Sequence, residues 1–324
     1  MKNRSVSSDR SNVVKLPLEE GIRLQKQGDF AAARESFEQV LQTYRARRDR
    51  SGIANALFWL GVNHYRTGNY PEAIANARGG LAIARELQDR RLEGKLLGHL
   101  ANAYRHLEEY DRAIAAQKQG LALLQRNNDT NGQIAAYNNL GLAYKARGDC
   151  EQAIECQKQS LILAREVGDR HVEAQILKNL GNACYALGNY TDTIEYYEQR
   201  LEIARQLDDQ RGQLQILRNL SNACLTIGDY DRAIAYSQQR LERARRLGDT
   251  RAQEQSLACL GTACDTMGDS SRAIDYYEQS LALARSSGNR RIEEQTLRSL
   301  RIACQALGDY GKMMTYQQPP EESV

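Results

Sequence analysis

The fold is decided by residues 177–204, which read LKNLGNACYALGNYTDTIEYYEQRLEIA. Leu177, Leu180 and Cys184 are three and four residues apart, a spacing that places them on one face of a helix. The same spacing returns after the Gly-Asn pair at 188–189. Glycine favours a helix end because it adopts the left-handed conformation, and the next side chain can accept hydrogen bonds from the N–H groups that open a helix. The stretch therefore predicts two helices joined by a tight turn.

This hairpin pattern recurs every forty residues along most of the chain. A turn pair, Gly-Asp or Gly-Asn, keeps the same register as a column of leucines. The leucines are Leu60, Leu100, Leu140, Leu180, Leu220, Leu260 and Leu300. A hairpin that repeats at a fixed period buries its apolar faces by stacking on its neighbours. We therefore predict an all-α solenoid of stacked antiparallel helix pairs.

Small residues mark where the two helices of a pair approach closely, as at Gly181 and Thr193. The last row has Arg301 and Met313 at these two positions, which indicates a degenerate C-terminal cap with one face to water. We predict about seven hairpins and this cap over residues 13–318, between disordered tails at 1–12 and 319–324. The predicted repeats lie near residues 13–49, 50–89, 90–129, 130–169, 170–209, 210–249 and 250–289, with a partial repeat at 290–318.

The composition argues against several classes of function. Lysine and arginine number 44 against 41 aspartate and glutamate, so charge gives no case for nucleic acid as the main partner. No apolar run approaches the length of a membrane span, so we expect no membrane insertion. The seven cysteines contain no Cys-x-x-Cys pair, which favours reduced thiols and a cytoplasmic location.

The repeated residues resemble a known family. The segment NLGNA at 179–183, the Gly-Asn-Tyr at 188–190, and Ile194, Tyr197 and Leu201 look like the tetratricopeptide repeat. The forty-residue period, with Gly-Asp in place of a terminal proline, resembles the longer-helix variety of the Pins/LGN scaffolds, kinesin light chains and many bacterial regulators. The resemblance implies a right-handed superhelical α-solenoid whose first helices line a concave groove.

That resemblance places a polar stripe of the first helices in the groove. Asn and Gln carry both donors and acceptors, so they can pair with a peptide backbone, whereas Lys178, Arg218 and Arg298 would select carboxylates. We predict a peptide-binding groove formed by Asn138, Lys145, Gln175, Lys178, Asn182, Tyr185, Gln215, Arg218, Asn222, Gln255, Thr262, Gln295 and Arg298.

Two cation–amide pairs in this stripe resemble the carboxylate clamp of co-chaperone tetratricopeptide proteins. The pairs are Lys178 with Asn182 and Arg218 with Asn222. The match is partial, because the following repeat has Ala258 where the clamp needs a cation. An acidic chaperone tail is therefore not the expected ligand.

No arrangement in the sequence indicates catalysis, so we predict no catalytic residue, no metal site and no cofactor. The four cysteines that recur every forty residues are expected to be small core side chains, because equivalent helices lie about 8–10 Å apart and a disulfide needs closer Cα atoms. They are Cys184, Cys224, Cys264 and Cys304. The four histidines are expected to lie on the surface or in packing contacts.

Five glycines interrupt predicted helices of the second and third repeats: Gly79, Gly80, Gly94, Gly98 and Gly120. Each costs about 0.5–1 kcal/mol relative to alanine inside a helix. One hypothesis is a soft region whose curvature adjusts to a ligand. The alternative is harmless sequence drift.

Taken together, the sequence predicts a non-enzymatic scaffold or adaptor that binds a protein or peptide partner with acidic groups in the groove; self-association stays open. The first alternative is a regulator that senses a peptide or another ligand through a change of superhelical curvature. An RNA-binding helical repeat is the second alternative, and the near balance of charge disfavours it.

Overall fold

The computed structural model describes the backbone of residues 6–316 and the side chains of residues 17–316. Sixteen α-helices and no β-strand are present in those residues. The helices are α1 (Val6–Gln27), α2 (Phe30–Ala46), α3 (Arg50–Arg66), α4 (Tyr70–Glu86), α5 (Arg90–His106), α6 (Tyr110–Arg126), α7 (Thr130–Arg147), α8 (Cys150–Val167), α9 (Arg170–Ala186), α10 (Tyr190–Gln206), α11 (Gln210–Thr226), α12 (Tyr230–Leu247), α13 (Thr250–Thr266), α14 (Ser270–Ser286), α15 (Arg290–Leu307) and α16 (Tyr310–Thr315).

The N-terminal part differs from the prediction of a disordered tail at 1–12. Helix α1 begins at Val6, so residues 6–12 are helical. The segment 6–16 contains neither glycine nor proline, and nothing in it stops a helix. The rest of that predicted tail and the predicted tail at 319–324 lie outside the described residues.

The turns between helices follow a strict twenty-residue period. Each has one residue with positive φ, from Gly28 to Gly308. Ten of these residues are glycines, and the other five are Arg48, Gln88, Glu108, Asn128 and Asp208. In most turns the side chain of the next residue caps the following helix, as where Asp229 Oδ1 accepts the N–H of Arg232 at 3.1 Å; Asn69 and Glu109 make no such bond. Turn geometry is therefore imposed by stacking even where the side chain opposes it.

The helices form two units, residues 1–169 and 170–324. Within each unit every helix packs against the next, and first helices (the odd-numbered ones) also contact one another. The column of leucines lies in the interior, with Leu180, Leu220, Leu260 and Leu300 all fully buried. The predicted all-α solenoid of stacked helix pairs is confirmed.

The small columns have the expected packing role. A Cβ on Gly181 would lie 2.8 Å from the Tyr197 ring, so only glycine lets α9 and α10 pack as they do. The last pair ends in the six-residue helix α16. The four periodic cysteines are buried and free of disulfides, which confirms their prediction as core residues. None of the helices in the described part of the chain combines the length and the apolar character that a membrane crossing requires.

Candidate functional site

The predicted groove residues of the second unit lie on its first helices, α9, α11, α13 and α15, and all of them reach solvent. Eight are exposed: Gln175, Lys178, Tyr185, Gln215, Asn222, Thr262, Gln295 and Arg298. Three are half-buried: Asn182, Arg218 and Gln255. The two predicted residues of the first unit lie on α7, where Asn138 is half-buried and Lys145 is exposed.

A pocket of about 270 Å³ opens between α11, α12 and α13. It is lined by Arg218, Ser221, Asn222, Ser237, Arg240, Gln255 and Cys259. The guanidinium of Arg240, only 6% exposed, donates from Nη2 to Gln255 Oε1 at 2.7 Å. It also donates from Nε to the Leu214 carbonyl at 3.1 Å and from Nη1 to Ser256 Oγ at 3.3 Å. All three acceptors are uncharged, and the buried cation has no carboxylate partner among its hydrogen bonds.

This arrangement makes the pocket electropositive. Burial lowers the pKa of Arg240 to about 10, with the nearby Arg218 acting in the same direction and Asp249 in the opposite one. Arg240 is still protonated at neutral pH, so the pocket keeps a buried positive charge. Buried charges are stable when they are paired, and a bidentate carboxylate is the natural partner of a guanidinium. The Arg240 pocket can therefore hold a carboxylate supplied by a ligand.

The stack itself does not require an arginine at this position. Its equivalent two repeats earlier is Ser160, whose Oγ donates to the carbonyl of Ile134 at 3.0 Å. That carbonyl occupies the position of the Leu214 carbonyl, so a short side chain makes the equivalent bond. The guanidinium of Arg240 exceeds what packing needs, as expected of a binding group.

A second, half-buried arginine lies one repeat earlier, on α10. Arg200 lines a pocket of about 290 Å³ together with His171, Gln175 and Asp209. Its Nη1 is buried and has no hydrogen-bond partner among the described residues. Burial lowers the pKa of Arg200, while Tyr197 and Asp209 act in the opposite direction. Arg200 and Arg240 thus form two cationic sites in consecutive repeats.

Between them lies a pocket rich in amides. Its volume is about 230 Å³, and it is lined by Asn182, Tyr185, Tyr197, Asn219 and Asn222. The hydroxyl of Tyr197 donates to Asn182 Oδ1 at 2.6 Å, which fixes that amide. Asn222 lines both this amide pocket and the Arg240 pocket, so the two are contiguous. Fixed amides offer a donor and an acceptor at once, which suits the backbone of an extended peptide.

The periodic glutamines pair along their own helices. Gln215 Nε2 donates to Asn219 Oδ1 at 2.9 Å, and Gln175 Nε2 donates to Asn179 at 3.3 Å. These bonds orient the glutamines through their side-chain N–H groups. The Gln215 side-chain carbonyl oxygen takes no part in them. The asparagines of the column therefore act partly as supports for the glutamines.

Only some of the predicted residues meet in these pockets. Arg218, Asn222 and Gln255 share the Arg240 pocket. Lys178, Gln215, Thr262, Gln295 and Arg298 line none of the three, and their role stays a prediction. In the part of the chain that the structure describes, no group of three or more His, Cys, Asp or Glu side chains is placed to hold a metal ion.

Neither Arg200 nor Arg240 was predicted from the sequence, because the predicted groove contains residues of first helices alone. The equivalent positions of the other repeats form a column that could have indicated them. Every other member between residues 80 and 280 is small, namely Gly80, Gly120, Ser160 and Ser280. Two consecutive arginines in a column of glycine and serine mark a departure from the packing rule.

Comparison with known proteins supports the repeat assignment. A family model described as Tetratricopeptide repeat matches residues 21–86, 52–126, 92–166, 132–206, 172–246 and 213–286. None of the curated proteins compared with the chain matches it in sequence.

Several solved structures are similar in fold. A STAND signal-transduction ATPase with a tetratricopeptide repeat sensor, from Pyrococcus horikoshii, is 17% identical with a TM-score of 0.60. The match covers 94% of this chain and 45% of that protein. The C-terminal part of a repeat-containing protein from Cytophaga hutchinsonii is 14% identical, with a TM-score of 0.65 over 87% of this chain and 99% of that one. The apo quorum sensor NprR from B. thuringiensis is 16% identical, with a TM-score of 0.53 over 94% and 85%. At these identities the likeness concerns the fold alone.

Proposed function

Because the chain belongs to the tetratricopeptide repeat family, we propose that it is a non-enzymatic adaptor that binds an extended, acidic peptide segment of a partner protein. The segment would lie along the first helices of the second unit. Its carboxylates would pair with Arg240 and Arg218, and its backbone with the amides of Asn182 and Asn222. The observation that carries this proposal is the buried guanidinium of Arg240, which hydrogen-bonds only to uncharged acceptors.

Charge and geometry support an acidic ligand over a neutral one. A carboxylate that enters the pocket compensates a buried positive charge, and charge-assisted hydrogen bonds contribute about 1.5–3 kcal/mol each. The exposed Lys178 and Arg298 add positive charge on the same set of first helices. The proposal includes a cytoplasmic location, in keeping with cysteines that pack as reduced core side chains.

The test is a peptide-display selection against the full chain. We expect the selected peptides to be enriched in aspartate and glutamate. The Lys178→Ala/Arg218→Ala/Asn222→Ala variant should bind them at least about tenfold more weakly, because it loses charge-assisted contacts. A matched Arg205→Ala/Arg246→Ala variant, which removes two exposed cations of the second helices, should bind them as the wild type does. Selected peptides without acidic residues, or equal binding by the triple variant, would refute the proposal.

A second candidate function is a ligand-responsive regulator. Two proteins of similar fold are named as a quorum sensor and as a protein with a repeat sensor, which is the observation in its favour. An adaptor should keep its radius of gyration when an acidic peptide binds, whereas a sensor should contract. Small-angle scattering with and without a selected peptide separates the two.

A further inference from the structure

The first unit has a cavity of about 360 Å³ between α5, α6 and α7. Gly94 and Gly98 on α5 and Gly120 on α6 form its smooth walls. A Cβ on Gly94 or Gly98 would meet nothing within 4 Å, so close packing does not explain these glycines. Each weakens its helix relative to alanine. They keep a space open at a cost in stability.

Equivalent repeats of the second unit have large cationic side chains where this repeat has two of these glycines. Gly98 stands in the column that holds Lys178 and Arg218, and Gly120 stands in the column that holds Arg200 and Arg240. In the second unit these columns supply cations to the Arg240 pocket. In the repeat at 90–129 both side chains are missing, and the face of α5 at Gly94 and Gly98 is bare, with open space in front of it. A bare, flat helix face suits a planar group.

Two buried polar atoms of residues that line this cavity have no hydrogen-bond partner in the described part of the chain. Gln117 is only 4% exposed, and its Oε1 is buried with no hydrogen-bond partner in residues 17–316. The same holds for Nδ1 of His99, whose pKa is lowered by burial and by Lys95, so the imidazole is neutral at pH 7. An amide oxygen only accepts hydrogen bonds, and a buried one without a donor destabilises the fold. A ligand that satisfies Gln117 must bring an O–H or N–H donor.

The other residues that line the cavity indicate which further chemical groups a ligand would need. Arg90, Arg91 and Lys95 bring three cations to the cavity, against the carboxylate of Asp129. Asp129 Oδ1 already accepts the N–H of Gly132 at 2.9 Å. Leu123, Leu124 and Ala136 supply apolar wall. The excess of positive charge favours an anionic group on the ligand, and the apolar wall favours a hydrocarbon body.

We propose that this cavity binds a small aromatic carboxylic acid that carries a hydroxyl or ring N–H donor. The ring lies against the bare face of α5 at Gly98, the donor bonds to Gln117 Oε1, and the carboxylate faces Lys95 and Arg91. A dry cavity of about 150 Å³ holds benzene in another protein. The volume of about 360 Å³ therefore has room for the ring and the carboxylate. This site is independent of the peptide-binding proposal, which concerns the second unit.

The test uses 4-hydroxyphenylacetate as the probe and the isotope-labelled full chain. We expect saturable shifts of the backbone amide signals of Gly94, Gly98 and Gly120, with a Kd on the order of 1 mM or tighter for a ligand of this size. Phenylacetate lacks the donor and 4-hydroxyphenylacetamide lacks the charge. Each should bind at least about fivefold more weakly.

Three variants test the assignment to these residues. Gln117→Met removes the acceptor at constant volume, and Gly98→Asn installs the side chain of the equivalent Asn138 while improving helix propensity. Both should abolish the shifts. Gln157→Met, at the equivalent buried position one repeat later, should retain them. Shifts that survive Gly98→Asn, equal binding of all three probes, or no shift up to about 10 mM would overturn the proposal.

Discussion

Replacement of Arg240 by methionine should stabilise the fold and abolish peptide binding. Burial lowers the pKa of Arg240 well below its ordinary value, to about 10. At about 1.4 kcal/mol per pKa unit, burial disfavours the charged guanidinium by roughly 3 kcal/mol. The folded pKa lies below the unfolded one, so this penalty is present at neutral pH and is relieved only as the pH rises above about 10.

Lost hydrogen bonds offset part of that gain. The three hydrogen bonds of Arg240 contribute about 1 kcal/mol each. Some of their acceptors can form other hydrogen bonds after the substitution. Gln255 is half-buried and can turn to water, and Ser256 Oγ also donates to the Ala252 carbonyl at 2.7 Å. Methionine fills the space of the arginine stem with apolar atoms. We expect a net gain of about 1 kcal/mol, within the range known for buried charges replaced by apolar residues.

Urea unfolding followed by far-UV circular dichroism measures this change. The midpoint should rise while the dependence on denaturant stays constant. Arg246→Met, which removes an exposed arginine of the same helix, should change stability by less than about 0.5 kcal/mol. A loss of about 2 kcal/mol or more in Arg240→Met would show that the guanidinium is structural, and would refute its interpretation as a binding group.

Three further predictions concern the fold. Glu108→Gly should raise the free energy of unfolding by about 1 kcal/mol, since φ is +61° at this position; an unchanged urea midpoint would contradict this. Gly181→Ala should lower it by about 1–3 kcal/mol, because the new Cβ would lie 2.8 Å from the Tyr197 ring; a thermal midpoint equal to that of the wild type would count against close packing there. Asp229→Ala should cost about 1 kcal/mol as the loss of a helix cap. A hydrogen bond from Arg232 lowers the pKa of Asp229, so the wild type should lose this stabilisation as the pH falls through that lowered pKa, whereas the variant should not.

Most of the fold could be predicted from the sequence because the same pattern of residues recurs in each repeat. Leucines at one position and a turn residue every twenty residues leave little freedom to the backbone. The turn at Glu108 could not be anticipated from its own residues, since glutamate disfavours positive φ. It forms because neighbouring hairpins fix both flanking helices. The start of α1 at Val6 was missed because a helix can extend into a polar segment that has no periodic pattern.

The candidate site was less accessible to sequence reasoning. Arg218 and Asn222 were predicted from the first-helix stripe, and the structure places them in one pocket. Arg240 was missed because its helix is the second of its pair, and a charged residue there looks like solvated surface. Only the three-dimensional stack shows that its guanidinium passes between α11 and α13. The cavity beside Gln117 was not predicted either. It arises where Gly98 and Gly120 replace the larger side chains of equivalent repeats.

The central claim is that the first helices of the second unit, beside Arg240, hold the ligand. Site-specific photocrosslinking tests it most directly, with a benzoylphenylalanine at Tyr185 or at Glu242 and an acidic peptide from the selection. Tyr185 lines the amide pocket, which adjoins the Arg240 pocket, whereas Glu242 is exposed on α12 and lines neither. We predict crosslinks from Tyr185 that disappear when Arg240→Met is added, and none from Glu242. Equal crosslinking from both positions, or crosslinks from Tyr185 that persist with Arg240→Met, would contradict the claim.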